Sequence, residues 1–320
     1  MSAPAVQTRR SAHGLLPFEQ GALRVLLYFD IFGHPLTAEE IFSFLPFHRS
    51  SIEGLADVLR SGALKRVVQS KGRFFFLHST PDSCIENRLR KERYARHRLR
   101  IASIVAHFVG LFPFVQAVML SGELSKGVAS RNSDIDFAII TRSHRLWICR
   151  TILILFKKVF LFNSKKYFCL NHFISEEDLS VQLRNIYSAT EVATLKPLCH
   201  REHYIKYMEA NQWIQDFFPN WNLSRLGCSI ASEYAEGVTH RDDKPHPVHF
   251  LDRVDHWLMI RWKDLWQRRY AHLSDEERRH KFRCETSIST AYGEDYQQKI
   301  LQQYSQRLRQ YGISGLEQRN

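Results

Sequence analysis

LSGELSKGVASRNSDIDFAIIT, Leu120 to Thr141, is the stretch on which the fold turns. A Ser121-Gly122 turn follows the apolar run VQAVML, and two aspartates, Asp134 and Asp136, stand one residue apart just before FAII. Apolar runs of this length bounded by turn residues read as buried strands, so the acids fall at the start of the second strand. Side chains alternate along a strand, which places Asp134 and Asp136 on one face and turns Ile135 and Phe137 into the core. Two carboxylates a strand period apart repel each other unless a cation lies between them. Hard oxygen donors suit Mg²⁺ or Mn²⁺, which also bind substrate phosphates. A glycine turn entering a helix offers backbone N–H groups to a triphosphate. Turn and acids would then grip one ligand. The plainer alternative is a pair of solvated turn acids or cap partners.

Outward from this segment the pattern is strand, helix, strand, helix, strand. PFVQAVML is the first strand, DIDFAII the second, the Leu146–Phe162 segment LWICRTILILFKKVFLF a buried helix, and KYFCLNHFI the third strand. This predicts an α/β (α+β) core with a small mixed sheet over residues 85–178. It opens with a basic helix, Ile85 to Gly110, carrying Arg88, Arg90, Lys91, Arg93, Arg96, Arg98 and Arg100, ahead of the first strand. Residues 16–80 read as a winged helix: GALRVLLYFDIF, then PLTAEEIFSFL with Thr37 and Glu40 in a capping-box arrangement, then RSSIEGLADVLRSG, and a basic hairpin around Lys71-Gly72. Residues 1–15 read as a disordered tail. Residues 179–320 show only helical periodicity, predicting an all-helical C-terminal domain with a polar linker at Thr239 to His249.

The 320 residues, 44% of them hydrophobic, are enough to bury a core without staples. Six cysteines without a CxxC pair read as thiols in a reducing compartment. The N-terminal tail lacks an apolar signal core, and Arg150, Lys157 and Lys158 interrupt the most apolar segment, so the expectation is cytoplasmic with no membrane partner. A net charge of +12 favours phosphate-rich partners, although a charge run can equally be a solvated helix face.

Gly122 and the SDIDF string, Ser133 to Phe137, give this chain a motif that resembles the nucleotidyltransferase superfamily of the polymerase-beta type. The segments LLYFDIFGHPLTAEEI, FPFVQAVMLSG, FCLNHFIS and NQWIQDFFPN resemble bacterial nucleotidyltransferase-domain proteins with an N-terminal winged helix. The resemblance implies transfer of a nucleoside monophosphate from ATP or another NTP to an acceptor, with Asp134 and Asp136 catalytic and holding Mg²⁺ or Mn²⁺. The acceptor stays open among a small molecule, a protein and an RNA end. Two departures stand out. Glu123 occupies the position after the glycine where the family has Ser or Gly, and the counterpart of the third acid is Asn171, which offers an amide oxygen without charge.

Ser121, Gly122, Lys126, Arg131 and Ser133 are the candidate nucleotide contacts, the two cations because they lie between turn and acids. Zinc is disfavoured: CHREH at Cys199–His203 and HPVH at His246–His249 lack a second ligand pair at suitable spacing. The rival readings are a nucleotide- or nucleic-acid-binding protein of the same fold that has lost catalysis, and a winged-helix DNA-binding regulator. Glu53 and Asp57 on the third helix would repel phosphate, which disfavours DNA.

Overall fold

The structure is a computed structural model that describes residues 14–49, 51–160, 166–221, 249–291 and 296–313. It is a mixed α/β protein with two small sheets. The tail at residues 1–13, Cys228, the linker at 239–248 and most of HPVH lie outside the described residues.

The chain opens with α1 (Pro17–Asp30), β1 (Leu36–Thr37), α2 (Ala38–Ser43), α3 (Leu55–Arg60), β2 (Val68–Lys71) and β3 (Phe74–Leu77), the strands pairing in the order β1-β3-β2. The capping box of α2 forms as its sequence dictates: Glu40 N–H donates to Thr37 Oγ1 at 3.3 Å, and Thr37 N–H donates to the Glu40 carboxylate at 2.9 Å. The third helix is shorter than RSSIEGLADVLRSG suggests, because Gly54 takes φ +70° at its start and Gly62 takes φ +61° beyond its end. Leu55 and Leu59 are buried, and Glu53 and Asp57 are exposed.

Next come α4 (Ser83–Gly110), β4 (Val115–Leu120), α5 (Gly122–Ser125), β5 (Asp136–Thr141), α6 (Leu146–Phe160), β6 (Cys169–Ser175), α7 (Ile186–Thr194), β7 (Lys196–Cys199), α8 (Arg201–Ala210), α9 (His249–Arg269), α10 (Asp275–Lys281), β8 (Ile288–Thr290) and α11 (Tyr296–Gln310). Five strands form the order β7-β4-β5-β6-β8, with β5 and β6 parallel and the other pairs antiparallel. The expectation of helices alone after Glu176 is therefore corrected. Strands β7 and β8 lie beyond residue 178 and form both edges of the central sheet. Four residues including Pro197, and three residues in β8, are too short to show a period of two, and proline is tolerated at an edge.

The sheet is covered on both faces, which is why FAII, after the acids, reads as continuously apolar. Ile135, Phe137 and Ile139 pack with Trp147, Leu153 and Val109 in one cluster. Ala138 and Ile140 pack with Val192, Tyr204 and Tyr207 in the other. A third core joins Leu23, Leu27 and Phe75 near the N-terminus to Ile300, Tyr304 and Leu308 of α11. Among the described residues no helix is long and apolar enough to cross a membrane.

Candidate functional site

The site grows from the junction of β4, α5 and β5. Ser121 N–H donates to the Asp136 carbonyl at 2.9 Å, locking the turn to the head of the neighbouring strand. Gly122 adopts φ +70°, and a Cβ built on it would stand 2.5 Å from Asp136 Oδ2. Any larger residue meets two obstacles here: the left-handed backbone and the carboxylate itself. The glycine and the second aspartate of the motif therefore form one contact.

Asp134 precedes β5, and Asp136 begins it. Asp134, Ser133 and Asp136 are all half-buried, while Ile135 between the acids is fully buried. Burial raises the Asp136 carboxyl above the ordinary aspartate range, and the charges of Asp134 and Glu191 add to the shift, while the Cys169 thiol and Lys126 oppose it. A raised carboxyl beside a second carboxylate is a site short of positive charge.

The preceding loop is held by side chains that the motif did not reveal. Arg98, buried on α4, donates to the Ser133 carbonyl and, at 2.7 Å, to the Arg131 carbonyl. Glu123 points back into this loop: it accepts from Ser133 Oγ at 2.7 Å and pairs with Lys91 Nζ at 3.1 Å. Burial pushes its carboxyl up, but the Ser133 hydroxyl and Lys91 outweigh this and hold it below the usual glutamate range. Lys126 Nζ pairs with Glu191 of α7 at 2.9 Å and reaches the Gly122 carbonyl at 3.3 Å. Arg131 is exposed, and its carbonyl is what ties it to the site.

On β6, Cys169 pairs in register with Asp136 and Leu170 with Phe137, but Ala138 pairs with His172. Asn171 is the extra residue of a β-bulge, and its Nδ2 lies 2.9 Å from Cys169 Sγ. The thiol in turn bonds Asp136 and is raised by burial and by that carboxylate. Where the resemblance leads one to expect a third acid, the chain has a buried thiol and an amide. Cys84, Cys149, Cys169, Cys199 and Cys284 are free thiols.

Comparison of the chain with family models, with curated proteins and with solved structures found no match. The site must be read from its own geometry. Among the described residues no group of three or more His, Cys, Asp or Glu side chains is arranged to hold a metal ion. CHREH contributes no such group: Cys199 is buried, and His203 faces Glu176 at 3.5 Å. An apolar cavity lined by Val25, Phe29, Phe44, Ile186 and Phe218 does not include either aspartate.

The structure thus brings Ser121, Gly122, Asp134, Asp136 and Ser133 together, places Asn171 one thiol away, and keeps Arg131 at the rim. Lys91, Arg98, Cys169 and Glu191 were missed. The first two had a signal, since Arg88, Lys91 and Arg98 recur at helical spacing along one face of the basic run. Cys169 and Glu191 had none, because strand register and the docking of α7 place them.

Proposed function

We propose that the chain is a divalent-metal-dependent nucleotidyltransferase-like protein that transfers a nucleoside monophosphate from an NTP to an acceptor. The observation that supports this most directly is the fit of Gly122, at φ +70°, against the Asp136 carboxylate. That contact unites a strand-to-helix turn with the Asp-x-Asp at the head of β5, the two halves of a polyphosphate grip. Asp134 and Asp136 would hold Mg²⁺ or Mn²⁺, whose bound charge neutralises phosphate oxygens. The Asp136 carboxyl, raised chiefly by burial and further by the charges of Asp134 and Glu191, fits such a role, since a bound cation would offset both. Arg98 fixes the Arg131–Ser133 backbone just ahead of the acids, and Lys126 and Lys91 stand at the turn, where each is paired with a glutamate, Glu191 and Glu123.

The N-terminal order of helix, strand, two helices and hairpin supports a winged-helix reading. Lys71 pairs with Asp82 and Arg73 with Glu92, while Glu53 and Asp57 are exposed, so DNA recognition is disfavoured. The second reading is nucleotide binding without transfer. Glu123 engages Lys91 and Ser133, and Asn171 turns its amide toward a thiol.

Incubation with each labelled NTP and Mg²⁺ or Mn²⁺, against protein, RNA and small-molecule pools, tests the proposal. Label transfer that disappears in Asp134→Asn with Asp136→Asn supports the enzyme. Nucleotide binding without transfer across the panel favours the second reading.

A further inference from the structure

Two long stretches are free of acids, since neither 93–122 nor 137–175 contains an Asp or Glu, so no carboxylate within them offsets the arginines of α4. Arg88, Lys91 and Arg98 of α4 turn toward the protein, but Arg93, Arg96 and Arg100 are exposed. At 3.6 residues per turn, the line through Arg93, Arg96 and Arg100 continues along the same face to Ile104 and reaches Leu111 just past the helix end. The basic half of this outer face passes into an apolar half. Ile104 is 71% exposed and Leu111 63%.

The end of α6 extends the apolar half. Rings run without a break from Phe112 through Phe108 and Phe156 to Phe160, with centroid separations of 5.3, 5.1 and 4.9 Å. Around them Leu155 is 59% exposed, Val159 57% and Phe160 66%, with the exposed Lys158 beside them. Scattered surface leucines are ordinary, but a contiguous apolar apex rimmed by cations marks a contact surface.

We propose that this face docks on an anionic phospholipid surface, with the apolar apex entering the headgroup boundary and Arg93, Arg96, Arg100 and Lys158 meeting lipid phosphates and carboxylates. The occupant follows from two features together. A nucleic-acid backbone would satisfy the arginines but leave the aliphatic and aromatic apex wet. An uncharged apolar partner would leave the arginines unanswered. An anionic bilayer meets both, by apolar burial plus attraction to acidic headgroups. The contact is peripheral, in keeping with the absence of a membrane-crossing helix among the described residues. It is independent of any nucleotide chemistry.

Co-sedimentation of the full chain with phosphatidylcholine vesicles, with and without phosphatidylserine, tests it. The full chain is expected to bind the phosphatidylserine vesicles, to bind the neutral ones far less, and to release as salt rises. Arg96→Gln with Arg100→Gln should weaken partitioning by about an order of magnitude or more, the loss implied by about 1 kcal/mol per surface charge. Leu155→Ser with Phe160→Ser should abolish it. All four side chains are exposed, so both variants should unfold at the wild-type temperature. Absence of vesicle binding, or equal binding to both vesicle types, would overturn the proposal. So would a lipid-free dimer that Leu155→Ser and Phe160→Ser dissociate, which would assign the face to a second copy, or RNA binding without vesicle binding.

Discussion

Gly122 is the residue on which the site's geometry closes, because its missing Cβ is what admits the Asp136 carboxylate. Gly122→Ala should lose about 1–3 kcal/mol in denaturant unfolding and reduce NTP binding, since both the positive φ and the close approach are compromised. Asp136 makes a prediction of opposite sign for stability. Its carboxyl is raised in the folded chain, chiefly by burial. The stabilisation carried by its proton is complete below the unfolded aspartate pKa and is lost as pH rises through the folded-state value. At neutral pH the ionised group therefore costs stability. Asp136→Asn should raise Tm at neutral pH without divalent metal, and the gap should close as the pH falls. Glu123 is the third case. Its carboxylate occupies the Ser133 hydroxyl and the Lys91 ammonium, groups a triphosphate would use. Glu123→Ser should tighten NTP binding, by about ten-fold if one charge-assisted contact of about 1.4 kcal/mol is released. Calorimetric titration of both proteins reads the change.

At the scale of elements, the long helix α4 works on two sides, and its inner side is part of the site. Arg98 reaches the loop just ahead of the aspartates. Arg98→Met keeps most of its bulk and removes the donors, leaving two backbone carbonyls without their partner, at a cost of about 1–3 kcal/mol. It should weaken metal-dependent nucleotide binding more than Asn171→Ala does, because Asn171 bonds a thiol rather than the loop. The elements also show what was legible. The strands around DIDFAII, the capping box at Thr37 and the buried α6 followed from periodicity and cap chemistry, which are local. Strands β7 and β8 were invisible because three or four residues at a sheet edge carry no period. The bulge at Asn171 was equally hidden: sequence spacing assumes an unbroken alternation, and one inserted residue breaks it. The pair Asp134 and Asp136 was legible because a single strand start sets their spacing. The partners Glu191 and Cys169 were not, since they arrive from other elements.

Across the whole molecule, the segments nearest the two ends of the described chain share a core. Tyr304 and Leu308 of α11 pack in the cluster that contains Leu23 and Leu27 of α1, and Arg307 pairs with Asp30 at 3.0 Å. Leu308→Ala should cost about 2–5 kcal/mol and lower the unfolding transition of the N-terminal helices with it, as circular dichroism and urea melts would show. A second tie is Asn220, whose side chain accepts from Arg49 N–H at 2.8 Å and donates to the carbonyls of Phe42 and Phe47 at 3.1 and 3.0 Å. Such contacts place the N-terminal elements against the sheet-bearing part of the chain. The sequence divided these regions by composition and periodicity, and the structure joins them through side chains 171 to 277 residues apart, for which no local pattern exists.

The central claim is that the Gly122 turn and the two aspartates act on one metal-bound polyphosphate. Titration of the full chain with a non-hydrolysable NTP in Mg²⁺, repeated in chelator and with the Asp134→Asn, Asp136→Asn double variant, tests this most directly. The account predicts saturable binding that needs the metal and is lost in the double variant, whose fold is retained. Binding unchanged by chelator and by both substitutions, or no binding by the wild-type chain to any NTP, would contradict it.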